Sequence, residues 1–129
     1  MATLSAAQAR DLARLYHELA TTLGRYRFDN WDDLTKARRA SIEAIERSLL
    51  SASSDFTVIA INLALDDVDP VLKRIKRVTK RMTAAVKKLK RTDKVIRMAE
   101  AAVKLTGAIL SGAPSAIASA LDEAIRASK

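Results

Sequence analysis

Apolar residues recur at helical spacing along most of the chain. Leu12, Tyr16, Leu19 and Leu23 follow one another at four, three and four residues, which lines one helix face. Ser5, with Gln8 three positions on, carries the capping-box signature that starts this helix, and Gly24 is its expected stop. A connector from Arg25 to Asn30 follows. Asn30 is expected to cap a second helix, with Asp32 and Asp33 in its electropositive first turn. Trp31, Leu34, Ile42, Ile45 and Leu49 share its apolar face. The run Ser51-Ala52-Ser53-Ser54 is expected to end it, with Ser54 and Asp55 as a new cap.

The segment 56–65 holds no charge, and only Thr57 and Asn62 are polar. Its length suits a buried strand or a buried helix, which periodicity does not separate. A lone strand in a helical chain has no partner for its backbone groups, so the expectation is a helix, apolar all round and central to a bundle.

Asp69 before Pro70 marks the next start, as N-cap and first helical residue. A heptad begins there: Val71, Ile75, Val78, Met82, Ala85, Leu89, Thr92, Ile96, Ala99, Val103, Thr106 and Leu110. One helix over that span would be roughly 60 Å long. A break at Arg91-Thr92-Asp93, with Thr92 as a new cap, fits the sequence equally well. Past Asp93 a second apolar row appears, Val95, Met98, Ala102, Leu105 and Ile109, so the segment becomes broadly buried. Ser111-Gly112-Ala113-Pro114 is a turn. Ile117, Leu121 and Ile125 then line a last helix.

Composition agrees with this pattern. The chain has 129 residues, 49% of them hydrophobic and many of those alanine, with only three Gly and two Pro. These values favour helix. The fold class expected is all-α: a single bundle domain over residues 1–129 with five or six helices. Its longest element would be a basic amphipathic helix starting at Pro70. The lack of cysteine excludes disulfides and thiolate metal sites. The start, Met-Ala-Thr-Leu-Ser, lacks a basic region followed by an apolar run, and no spanning helix is legible. A cytoplasmic location is the default expectation.

Charge changes the picture most. From Pro70 to Lys104 there are thirteen Lys or Arg against Asp93 and Glu100, a local charge of +11 in a chain of net +8. Residues 1–69 carry −3, and residues 105–129 are neutral. Surface helices usually mix signs into i,i+4 pairs, and like charges at that spacing repel. The residues expected to meet an anionic partner are Lys73, Arg74, Lys76, Arg77, Lys80, Arg81, Lys87, Lys88, Lys90, Arg91, Lys94 and Arg97. A nucleic-acid backbone and an acidic protein are the leading partners. Sequence-specific base reading is disfavoured, since the block holds no Asn or Gln.

Two other classes compete. An anionic lipid surface would attract the same face. The neutral stretch from Leu105 to Leu121 would then be a candidate membrane hairpin through Leu105, Ile109, Leu110, Gly112, Pro114, Ile117 and Leu121, against the plainer reading of two packed core helices. The sustained heptad also suits self-association into a homo-oligomer.

Catalytic chemistry finds little support. His17 is the single histidine, and it is expected at the surface. Asp66, Asp67 and Asp69 fail the calcium-loop pattern and suit helix capping. Glu43 and Glu46 lack the Glu-x-x-His companions of a di-metal bundle. No phosphate loop or nucleophile elbow is present. The expectation is a non-catalytic binding module with no metal, no cofactor and no small-molecule substrate. Tyr26, Phe28 and Trp31, interleaved with Arg25 and Arg27, are expected to plug an open end of the bundle. Base stacking is their alternative use.

Overall fold

The computed structural model describes residues 2–129. It is an all-α bundle of five helices: α1 (Ala6–Asp29), α2 (Lys36–Val58), α3 (Asp69–Lys88), α4 (Thr92–Ser111) and α5 (Pro114–Ala127). Two short strands, β1 (Ala2–Thr3) and β2 (Asn62–Leu63), pair antiparallel at one end.

The apolar stripes do what their spacing implies. Leu12, Tyr16, Leu19 and Leu23 of α1 are all buried, and Ile42 and Leu49 of α2 meet them. The two helices run antiparallel, tied by Ser53 Oγ donating to the Ala13 carbonyl at 2.7 Å and by Arg27 with Glu46 at 2.7 Å. Helix α3 runs parallel to α1. Lys76 reaches Asp11 at 2.9 Å, Thr79 meets Tyr16 at 3.1 Å, and Tyr26 meets Thr92 just beyond at 3.0 Å. Helix α5 folds back on α4 through Lys104 and Glu123, and touches α3 through Arg74 and Asp122.

Several boundaries differ from the sequence expectation. Helix α1 does not stop at Gly24 but runs five residues further, to Asp29, with its cap at Asn30. Gly24 costs about 1 kcal/mol in a helix interior. The extra turn offsets that cost by burying Tyr26 and seating Arg27 on Glu46. Asn30 does not cap α2. Trp31–Asp33 form a 3-10 turn, and Thr35 caps α2 by accepting from the Arg38 amide at 3.1 Å. The serine run lies inside α2, because Ser53 satisfies its hydroxyl on α1 rather than competing for the local backbone.

The segment 56–65 is not a central helix. Phe56 ends the buried face of α2, Val58 and Ile59 are exposed, and Asn62–Leu63 form β2. The missing strand partner is Ala2–Thr3, 60 residues away, with Leu4 N donating to the Ile61 carbonyl at 3.0 Å.

The segment after Pro70 is two helices. Leu89 and Arg91 are extended, and the longest helix is α1 with 24 residues, against 20 each for α3 and α4. A continuous helix of roughly 60 Å would overhang α1, which is about 36 Å long, and leave its apolar half uncovered. The break turns α4 so that Val95, Met98, Ala102, Leu105 and Ile109 face the core. Of the continued heptad, Ala99 and Thr106 are buried too, while Ile96, Val103 and Leu110 are only half-buried. Thr92 is no cap, since its hydroxyl serves Tyr26. Asp69 is the first helical residue of α3 rather than its cap, and its amide donates to the Asp67 carboxylate at 3.0 Å.

Candidate polyanion-binding face

Helix α3 presents its core side through Leu72, Ile75, Val78, Thr79, Met82 and Val86. The opposite side is set by the same 3.6-residue period. It carries Lys73, Arg77, Lys80, Arg81, Lys87 and Lys88, all exposed. Spaced at three, four and seven residues, they form a strip about 22 Å long.

Four of the thirteen cations in the block are held by carboxylates. Arg74 bonds Asp122 at 2.8 Å, Lys76 bonds Asp11 at 2.9 Å, Arg91 bonds Asp93 at 2.9 Å and Lys104 bonds Glu123 at 2.9 Å. The other nine have no ion pair among the described residues, including every cation of the outer α3 strip. Lys76 holds the Asp11 carboxyl below its usual range by its hydrogen bond and charge, with Arg14 and Lys80 adding to the field.

The break divides the expected set. Eight of its members stand on α3, and Lys90 and Arg91 stand in the exposed connector. Lys94 is half-buried on α4, and Arg97 lines a separate hollow with Ala101, Glu123 and Arg126. The strongest coherent surface is therefore the α3 part of the set.

The fold adds cations that the charge count along the chain did not reveal. Helix α1 exposes Arg14, His17, Thr21 and Arg25 on one face. Because α1 and α3 are parallel neighbours, a furrow runs between them. One stretch is lined by Leu15, Glu18, Lys80, Thr83, Lys87 and Lys88, and another, of about 390 Å³, by Arg14, His17, Glu18, Thr21, Arg25 and Lys87. A third joins Arg25, Tyr26 and Asp29 to Val86, Lys87 and Leu89. Lys87 lines all three stretches. Arg14 and Arg25 were legible only as members of an acidic half. Their exposed i, i+11 placement beside Leu15 and Leu19 was the signal available.

The aromatic plug forms only in part. Tyr26 is buried, whereas Phe28 is 76% and Trp31 44% exposed. Their rings lie 6.4 Å apart, and the Arg39 guanidinium sits 4.4 Å from the Trp31 ring centre.

The candidate hairpin residues are mostly committed to the core. Leu105, Ile109, Ile117 and Leu121 are buried, and Leu110 and Pro114 are half-buried. Gly112 is a left-handed cap with φ 71°, and its carbonyl accepts from the Ala64 amide at 3.2 Å. Among the described residues no helix is long and apolar enough to cross a membrane. Inserting this hairpin would require opening the bundle. The α3 heptad is likewise spent inside, with Ile75, Val78 and Met82 buried.

His17 is exposed, and no cluster of three or more His, Asp or Glu side chains suited to a metal ion occurs among the described residues. No known protein family, no curated protein and no solved structure matches this chain.

Proposed function

We propose that this protein is a non-catalytic module that captures the phosphate backbone of a nucleic acid on the α1–α3 face. The observation that carries the reading is the unpaired strip Lys73, Arg77, Lys80, Arg81, Lys87 and Lys88 beside the furrow. Lysine and arginine side chains along a groove replace the counterions of a polyphosphate, and their release favours binding. The arrangement suits backbone contact rather than base-edge recognition, since four of the six strip cations are lysines acting as point charges and none of the six is an amide side chain.

Fluorescence anisotropy of a labelled oligonucleotide tests the proposal. The wild type should bind with an affinity that falls steeply with salt, by about 0.7 in log K per log salt for each phosphate contacted on a single strand. Charge reversal at Arg77, Lys80, Lys87 and Lys88 to Glu should abolish binding, with circular dichroism still helical because these side chains are exposed. Binding that survives the reversal, or that ignores salt, would overturn it. Adsorption to anionic vesicles alone, with none to oligonucleotides, would move the reading to a lipid surface.

A further inference from the structure

The face that carries the cations continues into the two exposed aromatics. Arg14, His17, Thr21, Arg25 and Phe28 follow one another on α1 at three, four, four and three residues, so they share one outward stripe. Phe28 ends it, one turn beyond Arg25. It is 76% exposed, and it and Trp31 are the exposed aromatics among the exposed large apolar side chains, the others being Leu50, Val58 and Ile59. Trp31 stands 6.4 Å from it, half open to solvent, with Arg39 against its ring. Two neighbouring aromatic faces left in water cost apolar hydration that the fold does not recover. They are also the platform on which unpaired bases stack.

We infer that the ligand is a single-stranded nucleic acid, its phosphates held by the furrow and its bases stacked on Phe28 and Trp31. The inference rests on the proposed capture of a phosphate backbone and names which form of nucleic acid is bound. Charge around the platform supports the choice. Asp32 and Asp33 follow Trp31 in the 3-10 turn and are exposed. These carboxylates repel phosphate but tolerate neutral bases. A duplex keeps its bases stacked internally and would bring phosphates to this end. A single strand turns its bases toward the rings while its phosphates stay beside Arg25 and Lys87.

Trp31 is the only tryptophan in the chain, so its fluorescence reports on this end alone. The full chain is titrated at roughly physiological salt with three probes. They are an oligothymidylate of about 12 nucleotides, an abasic deoxyribose-phosphate strand of that length, and a matching duplex. The oligothymidylate should quench Trp31 and bind at least about tenfold tighter than the abasic strand. Phe28→Ala should remove most of that difference while circular dichroism stays helical, since Phe28 is exposed. Equal affinity for the oligothymidylate and the abasic strand, without quenching, would overturn the stacking inference and leave backbone capture standing. Preference for the duplex would do the same. Failure of all three probes to bind would overturn both readings.

Discussion

At the scale of single residues, the clearest design lies in the buried pair of Tyr16 and Thr79. Thr79 Oγ1 stands 2.8 Å from the Ile75 carbonyl oxygen and 3.1 Å from the Tyr16 phenol oxygen. A hydroxyl has one proton to give, so Thr79 donates to the carbonyl and receives from the phenol. Thr79→Val would leave a buried phenol donor without a partner, at a cost of about 1–3 kcal/mol. Tyr16→Phe removes that donor together with its need and should cost less, about 1 kcal/mol. The double variant should recover part of the Thr79→Val loss in a denaturation cycle. Burial also pushes the Tyr16 phenol well above its ordinary value of 10.0. Above about pH 10 the unfolded chain releases that proton while the folded chain keeps it, so the contribution is present at neutral pH and lost as pH rises. Urea midpoints measured from pH 8 to 11 should therefore fall more steeply for wild type than for Tyr16→Phe. Tyr16 was legible in the sequence as a stripe residue. The phenol's partner was not, because Thr79 lies 63 residues away and off the heptad positions.

At the scale of elements, helix faces were largely readable, and helix ends were so at the Ser5 capping box and at Pro114 but not elsewhere. The stripe residues of α1 are buried as spaced, as are Leu34, Ile42 and Leu49, whereas Trp31 is exposed and Ile45 half-buried; the turn before Pro114 starts α5 where Pro at the first position predicts. The errors cluster where a local stop signal meets a tertiary contact. Gly24 looked like a terminus, but a Cβ there would meet the Glu46 carboxylate oxygen at 2.8 Å, so glycine serves the ion pair that α1 and α2 share. The pairing of β1 with β2 joins residues too far apart in sequence for any local signal. Two other glycines permit a test with opposite signs. Gly107 lies inside α4 with open space around its Cβ position, so Gly107→Ala should stabilise the protein by about 0.5–1 kcal/mol. Gly112 has φ 71°, and a Cβ there would collide with the Asn62 carbonyl oxygen. Gly112→Ala should destabilise by more than Gly107→Ala gains, since strain and collision add. Paired thermal melts would show the two transitions moving in opposite directions. The same collision bears on the hairpin: any larger residue at Gly112 disturbs the contact with the Asn62 loop before it disturbs a membrane.

At the scale of the molecule, the question is why a bundle keeps so many cations on one side. The charge block was legible from the sequence, but its geometry was not. The break after Lys88 puts Lys94 and Arg97 on α4, Arg97 in a hollow beside α5, and the parallel packing of α1 brings Arg14 and Arg25 into the field. If the strip were only a solvated surface, nothing would oppose its conversion to mixed charge. Arg77 is the most informative position. Lys73, Arg74, Lys80 and Arg81 all lie three or four residues from it on α3, so it sits among like charges on both sides. Arg77→Glu converts these four repulsive spacings into attractive ones. At about 0.2–0.5 kcal/mol for each repulsion removed and as much again for each attraction gained, the variant should be more stable than wild type by about 2–4 kcal/mol at low ionic strength. Salt screens exposed charges beyond about 10 Å at 0.1 M and about 3 Å at 1 M, so the gain should shrink toward zero as salt rises. Thermal melts of both proteins from about 10 mM to 1 M salt would measure this directly. The wild type should itself gain stability with salt, because screening relieves its self-repulsion. A stabilised Arg77→Glu protein that has lost affinity for oligonucleotides would show that the strip is kept against folding stability, as binding surfaces often are. Equal stability at every salt concentration would mean that the cations already lie too far apart to repel, and the strip's cost to the fold would vanish with the main argument for its being selected.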